Sequence, residues 1–414
     1  MVTERQVFAS RRAQNALPSP IRKLTPLAER AKAEGVHIYH LNIGQPDLAI
    51  PQAIIEGIQS FKGPLLPYAP SNGIAEAVDA WRAYYRGLGM EFDRHELCIT
   101  MGGSEALMLA MLATCDPGDE ILVFEPTYAN YFGFAEMLSI RLVPVTVGVE
   151  HGFHLPEAAT IEAGITQRTR AILFTTPGNP TGTVYSYDEL NRLSEIAERH
   201  GLFLIADETY REIVFDGPRD MSAVKVARTA GQTIIVDTVS KRFSATGARV
   251  GCIVSHHAGV MEGVQRFAQA RLAAPTVEQL AMIPLLYHPE QYVDELAAIY
   301  RGRRDVVYGA LKDVPGAKVP VPEGAFYILA SLPIDDGERF ASWLLTDFRL
   351  DGETIMISPG DGFYITPGLG KQEVRIAFVL NESALARAMT ILTEALRDYP
   401  GAQTIPDWVK EHSK

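Results

Sequence analysis

Six short runs within the first 240 residues are built almost wholly from apolar and β-branched side chains: "ELCIT", "EILVFEP", "RLVPVTV", "AILFTT", "LFLIADE" and "TIIVDTVS". Each is of strand length, and none alternates strictly with polar residues, the pattern of strands covered on both faces. Between them lie stretches with apolar residues at helical spacing, such as "SEALMLAMLAT" and "SYDELNRLSEIAERH". Strand and helix in alternation predict a mostly parallel mixed sheet with helices on both sides. The stretch from Ser104 to Cys115 is apolar nearly all round, so that helix is expected to be buried.

Past residue 290 the pattern changes. A long charged helix is predicted over "VDELAAIYRGRRDVVYGALKD", followed by the short strand-like pieces "AFYILA", "IMISPG" and "EVRIAFVL". This predicts an α/β chain with a large domain over residues 51–290 and a smaller α+β domain over 291–414. Residues 1–50 are too poor in apolar side chains to fold alone and are expected to join the small domain or a partner subunit. No internal repeat or low-complexity segment interrupts the pattern.

Composition narrows the function classes. The 38 Lys and Arg against 50 Asp and Glu give a formal charge of −12, which argues against a nucleic-acid partner because phosphate binding needs excess base. No run approaches the roughly 18 apolar residues of a membrane span, and "MVTERQVFASRRAQN" lacks the apolar centre of a secretory signal. The three cysteines, Cys98, Cys115 and Cys252, are far apart with no CxxC pair, and the ten histidines form no HxH or HxxxH cluster. A soluble, cytoplasmic protein with neither a disulfide framework nor a metal site is expected.

Ligands of such sheets sit at the carboxyl ends of the strands. Read there, the chain offers Gly103 and Ser104 opening a helix, Tyr128 after "FEP", and Asn179 in the turn "PGNPTG". Asp207 then leaves an apolar strand, and Lys241 ends "TIIVDTVS", flanked by Ser240, Arg242 and Arg249. Each has a plain structural reading when taken alone: a turn, a core ring, a helix cap, a solvated strand end. Taken together they supply an anion cradle, an aromatic face, an amide, a buried carboxylate and a lysine. That set suits a planar phosphorylated aldehyde with a basic ring nitrogen, which describes pyridoxal phosphate.

The chain resembles the class I and II aminotransferases of fold type I. Nine motifs carry the resemblance in family order: "LNIGQPD", "YAPSNG", "TMGGSEAL", "FEPTY", "PGNPTG", "ADETY", "SKRFSATGARVG", "PEGAFY" and "VRIAF". The resemblance implies that Lys241 holds the cofactor covalently and that Ser240, Arg249, Gly103 and Ser104 bind its phosphate. By the same token Tyr128 stacks on the ring, Asp207 keeps the ring nitrogen protonated, and Asn179 and Tyr210 bond its phenolic oxygen. Arg375 takes the substrate α-carboxylate, and Gly44 lets backbone approach the substrate. Tyr68 reaches across a homodimer to the partner's phosphate. Thr238 departs from the Gly or Ser usual at its position, a conservative difference.

The implied reaction is transamination between an L-amino acid and a 2-oxo acid, with glutamate and 2-oxoglutarate as one pair and an aspartate-type or broad donor. Neighbouring cations, Arg249 and Arg242, are expected to lower the lysine's pKa. One branch of aspartate-specific relatives carries a side-chain-reading lysine where this chain has Ser104. Arg271, Arg22 and Lys23 are therefore the candidates for a distal carboxylate. A carbon–sulfur β-lyase on the same cofactor is the alternative. A cofactor-sensing regulator would need a DNA-binding module that the acidic charge does not indicate.

Overall fold

The computed structural model describes residues 8–16, 19–217, 222–225 and 227–403. The start of the stretch "MVTERQVFASRRAQN", residues 1–7, lies outside them. A seven-stranded sheet runs in the order Leu97–Thr100, Gly251–Val254, Thr233–Thr238, Phe203–Asp207, Thr169–Thr175, Glu120–Glu125 and Arg141–Thr146. Gly251–Val254 runs against the direction of the other six strands, antiparallel to both its neighbours. The sheet is α/β and mostly parallel, as the alternating pattern predicts.

The six predicted runs form six of these strands; three of them, Leu97–Thr100, Glu120–Glu125 and Thr233–Thr238, are buried throughout because helices cover both faces. On one face the helix Gly103–Thr114 packs Ala106, Leu107, Ala110 and Met111 against Ile234, Val236 and Ile253. On the other, Ala75–Gly87 lays Val78, Trp81, Tyr84 and Tyr85 over Ile235, Val239 and Cys252. Tyr187–His200 covers Leu122, Ile172 and Leu204. Its ends follow from sequence: Ser186 and Glu189 form a capping box, and Gly201 takes the left-handed turn at φ 64°.

A second core gathers residues from both ends of the chain. Its antiparallel sheet has the order Ser358–Pro359, Glu373–Ala377 and Tyr327–Ser331. Beside it the strand His37–His40 pairs in parallel with Glu353–Met356. Leu24, Ala28, Ala31, Ile38 and Leu41 from the N-terminal segment are buried here with Phe340, Leu344, Ile376 and Leu392. The helix Glu290–Leu311 spans the two bodies. Its Val293 lies in the core with Trp81, and its Leu296, Tyr300, Val307 and Leu311 lie in the second core. Among the described residues, no helix is long and apolar enough to cross a membrane.

Candidate active site

At the carboxyl edge of the large sheet a cavity of about 420 Å³ opens between the two bodies. It is lined from the sheet side by Gly103, Ser104, Tyr128, Asn179, Asp207, Tyr210, Ser240, Lys241 and Arg249. The other body adds Tyr327 and Arg375, and the N-terminal segment adds Ser19, Ile21, Arg22 and Gly44. Residues far apart in sequence meet because parallel strands all end on the same edge.

Lys241 stands on the four-residue helix Val239–Arg242 directly after its strand. Its Nζ donates to the Gly44 carbonyl at 3.0 Å. Burial, then the charges of Arg375 and Arg249, bring its pKa down to about 8, with Asp207 opposing them. Desolvation and like charge both disfavour the ammonium form, so a neutral, nucleophilic amine is accessible near neutral pH. A Cβ at Gly44 would fall on the Tyr327 hydroxyl, so only glycine lets this stretch pass so close.

Asp207 is buried at the end of its strand. One carboxylate oxygen accepts from the Thr209 hydroxyl at 2.6 Å and the Thr209 N–H at 3.2 Å. The other accepts from the Tyr131 hydroxyl at 2.9 Å. Burial raises its pKa while these hydrogen bonds lower it. Among the described residues it has no ion-pair partner. A buried carboxylate served only by neutral donors is an uncompensated charge facing a cavity, which a cationic ring nitrogen would satisfy.

The anion cradle is built by backbone geometry. Gly102, at φ 78°, precedes the helix Gly103–Thr114, and a Cβ there would meet the Arg249 Nη2 at 2.5 Å. Arg249 itself adopts φ 55° and is held by the carbonyls of Thr246 and Met101 at 3.0 and 3.1 Å. The Ser240 hydroxyl lies 2.8 Å from that of Thr238, which donates to the Val250 carbonyl at 2.9 Å. The departing threonine thus orients the serine. Helix N–H groups, a hydroxyl and a guanidinium converge as for a phosphate.

Across the cavity Arg375 is buried between the rings of Tyr327 and Phe363, at 4.5 and 4.9 Å from their centroids. It donates to Asn179 Oδ1 at 2.9 Å and to the Asn42 carbonyl at 2.5 Å, while its Nε has no partner. Burial lowers its pKa. A desolvated guanidinium with an orphaned N–H is ready for a carboxylate. Tyr210 and Tyr327 share a hydrogen bond of 2.9 Å beside it.

Several expectations are corrected by this geometry. Arg271 does not reach the cavity: its Nε binds Glu105 at 2.9 Å and its Nη2 the Ile99 carbonyl at 2.9 Å. Glu105 in turn accepts from the Met101 N–H at 2.6 Å, so Arg271 braces the helix start from behind. Lys23 is paired with Glu338 at 2.6 Å and does not line the cavity, whereas Arg22 does. Arg242 faces away, bound to Asp237, and has no part in lowering the Lys241 pKa. Tyr68, whose expected role lies across a dimer, is no part of these corrections; it is 80% exposed and outside this chain's own cavity. Sequence reading missed Tyr131, Thr209 and Tyr327. Tyr131 stands three residues after Tyr128, one helical turn on, which is the signal that was available.

Comparison with known proteins decides the family. The sequence profile described as aminotransferase class I and II matches residues 36–392. The chain belongs to that family. Similar proteins include a probable aspartate/prephenate aminotransferase of Aquifex aeolicus, 28% identical over 94% of this chain and 98% of that one. An LL-diaminopimelate aminotransferase of Desulforudis audaxviator is 32% identical over 94% and 97% of the two chains. Among solved structures, an alanine aminotransferase from Pyrococcus furiosus superimposes with a TM-score of 0.87 at 28% identity, covering 94% of this chain and all of that one.

This aminotransferase is a pyridoxal-phosphate-dependent enzyme. Its cavity fits the cofactor on structural grounds: the uncompensated carboxylate of Asp207, the desolvated Lys241 and the anion cradle are disposed around one space. Among the described residues there is no group of three or more His, Cys, Asp or Glu placed to hold a metal ion.

Proposed function

We propose that this aminotransferase moves nitrogen between an acidic L-amino acid and a 2-oxo acid, with glutamate and 2-oxoglutarate as one pair, in a ping-pong cycle. The observation that carries the reading is the placement of a desolvated lysine and an uncompensated buried carboxylate in one cavity. Pyridoxal phosphate supplies an aldehyde that accepts amino groups and a protonated ring that draws electrons from the substrate Cα.

The chain's own residues do the rest. Gly103, Ser104, Ser240 and Arg249 hold the phosphate, Tyr128 faces the ring, and Asp207 keeps the ring nitrogen protonated. Asn179 and Tyr210 bond the phenolic oxygen. Lys241 holds the aldehyde in the resting enzyme and, once displaced by substrate, carries the proton at Cα. Arg375 grips the α-carboxylate, which fixes the Cα–H bond relative to the ring. Nothing in the geometry favours the β-lyase alternative.

The test is an absorbance spectrum of the purified holoenzyme. A visible band that fades on adding L-glutamate and returns with 2-oxoglutarate is expected. A band indifferent to every amino acid offered would overturn the reading.

Acidic specificity rests on charge balance. The cavity is lined by four cations, Arg22, Lys241, Arg249 and Arg375, and one carboxylate, Asp207. In this reading Arg249 serves the phosphate, Arg375 the α-carboxylate, and Lys241 is committed to the aldehyde as an amine. Arg22 remains, with no ion pair among the described residues, in position for a distal carboxylate. Aspartate and diaminopimelate, named for two of the relatives, carry such a group; alanine, named for the third, does not. Arg22→Ala is expected to raise KM for glutamate and aspartate about 10- to 100-fold, the value of a charge-assisted hydrogen bond, and to leave KM for alanine within about twofold. Steady-state kinetics on the three donors checks it.

The working unit in this reading is a homodimer. Tyr68 sits with Leu65, 77% exposed, and Leu66, 60% exposed, on a protruding apolar stretch, and a second copy covering it would bring Tyr68 to its neighbour's phosphate site. The enzyme works in the cytoplasm. Its cysteines are free, and burial pushes the Cys98 and Cys115 thiols up to about 12 and about 11, leaving them unreactive.

A further inference from the structure

Asp207 and Lys241 face the cavity, and the residue following each is a buried ion on the opposite side. Alternation along extended chain carries Glu208 behind the sheet edge, and the turn from Lys241 to Arg242 within the helix Val239–Arg242 brings Arg242 there too, buried against Asp237. There they are linked. Asp237, fully buried on the strand Thr233–Thr238, accepts from Arg242 with one oxygen and from Arg211 with the other, the latter at 2.6 Å. Arg211 also pairs with the Glu208 carboxylate, whose other oxygen accepts from the Ser222 hydroxyl at 2.7 Å and the Ala223 N–H at 2.9 Å. An unbroken chain of ion pairs therefore runs from the residue after Lys241 to the residue after Asp207.

This cluster is more elaborate than packing requires. Buried ion pairs are often replaceable by apolar side chains without loss of stability, so their presence points to a demand for geometry. Such a demand exists here. Lys241 rides on a helix of four residues, too short to be stable by its own hydrogen bonds. Arg242 anchors that helix: its guanidinium lies 4.5 Å over the Tyr84 ring, and its charge is met by Asp237.

We propose that Asp237 is a positioning residue: by holding Arg242 and Arg211 on its two oxygens, it sets the distance and orientation between Lys241 and Asp207. The inference rests on the reading of those two residues given above. The charged and titratable groups facing Asp237 come from four elements. Tyr84 and Tyr85 lie on the helix Ala75–Gly87, with the Tyr85 hydroxyl at 3.1 Å, and Cys252 lies on the neighbouring strand. Glu208, Arg211 and Glu212 follow Asp207, and Arg242 follows Lys241. Asp237 also raises the pKa of Asp207 from beneath.

Two variants of the holoenzyme test this, each read by the pH midpoint of the visible band of the lysine-bound cofactor and by the single-turnover rate with L-glutamate. Asp237→Asn removes an anion beneath the site, so the midpoint moves down, and the loosened lysine slows the half-reaction about 10- to 100-fold, as for a small misplacement of reacting groups. Arg242→Gln leaves Asp237 paired with Arg211 and slows the half-reaction similarly, with part of the rate recovered in Arg242→Lys, while the midpoint stays in place because Arg242 does not act on the lysine's charge. A variant that melts at a lower temperature yet titrates and reacts as the wild type does would reduce Asp237 to a structural ion and overturn the proposal. If Asp237→Asn does not accumulate as folded protein, Arg242→Gln decides by its single-turnover rate and the recovery of that rate in Arg242→Lys. A wild-type protein that forms no visible band with pyridoxal phosphate would instead remove the reading of Lys241, a failure visible before either variant is made.

Discussion

Lys241→Ala is expected to abolish the visible band of the bound cofactor and to lower turnover with L-glutamate by at least about 10⁴-fold. Two functions are lost together in this reading, the covalent hold on the aldehyde and the proton carrier at Cα, and nothing else in the cavity replaces the amine. Arg375 and Arg249 present guanidinium groups and not amines, Asp207 is committed to Thr209 and Tyr131, and the hydroxyls of Tyr210 and Tyr327 are bonded to one another, their pKa values raised by burial. Cofactor is still expected to bind through the anion cradle, so equilibrium dialysis separates loss of chemistry from loss of the site. The wild-type apoenzyme supplies the matching pH dependence. With the lysine at about 8, its rate of capturing pyridoxal phosphate rises with pH below that value as the neutral fraction grows, and flattens above it. A variant that retained band and turnover would place the reacting amine elsewhere.

Asp207→Asn is expected to lower kcat by about 10³-fold, roughly 4 kcal/mol of transition-state stabilisation, with KM changed only a few-fold. Asparagine has the same shape and can keep its bond from the Tyr131 hydroxyl, but it carries no charge to hold a ring nitrogen in the protonated state. Arg375 lies on the other body and is untouched, so ground-state binding of the α-carboxylate persists. The division between kcat and KM is therefore the diagnostic measurement. A rise in KM with kcat preserved would make Asp207 a binding group and not an electronic one. Asp207→Glu keeps the charge, and partial recovery of kcat in that variant separates charge from shape.

The large sheet was legible because buried parallel strands are written as uninterrupted apolar runs. The strand that escaped notice, Gly251–Val254, is four residues long and follows directly on the turn that carries Arg249, so no periodicity develops. His37–His40 escaped for another reason: its histidines and tyrosine give no apolar run, and it is a strand only because Glu353–Met356 lies beside it. At the site, residues just after a strand could be placed, since topology alone puts them on one edge. Charges were misplaced wherever facing mattered. Arg242 adjoins the lysine in sequence and was expected to act on it, yet a single residue step turns it to the opposite side. Arg271 is near the site in sequence, but its nearest acceptor is Glu105 on the adjoining helix. Ion pairing is a tertiary property, and a string of residue types does not state which carboxylate each arginine will find.

The helix Glu290–Leu311 has a consequence for how this chain could be divided by gene rearrangement. One rod contributes side chains to both cores, and Arg303 near its middle also binds Asp47 of the N-terminal segment at 2.7 Å. A recombination event in this helix would not release two modules; it would leave two open hydrophobic surfaces and an N-terminal segment without its anchor. The sheet and the smaller body thus stand or fall as a pair.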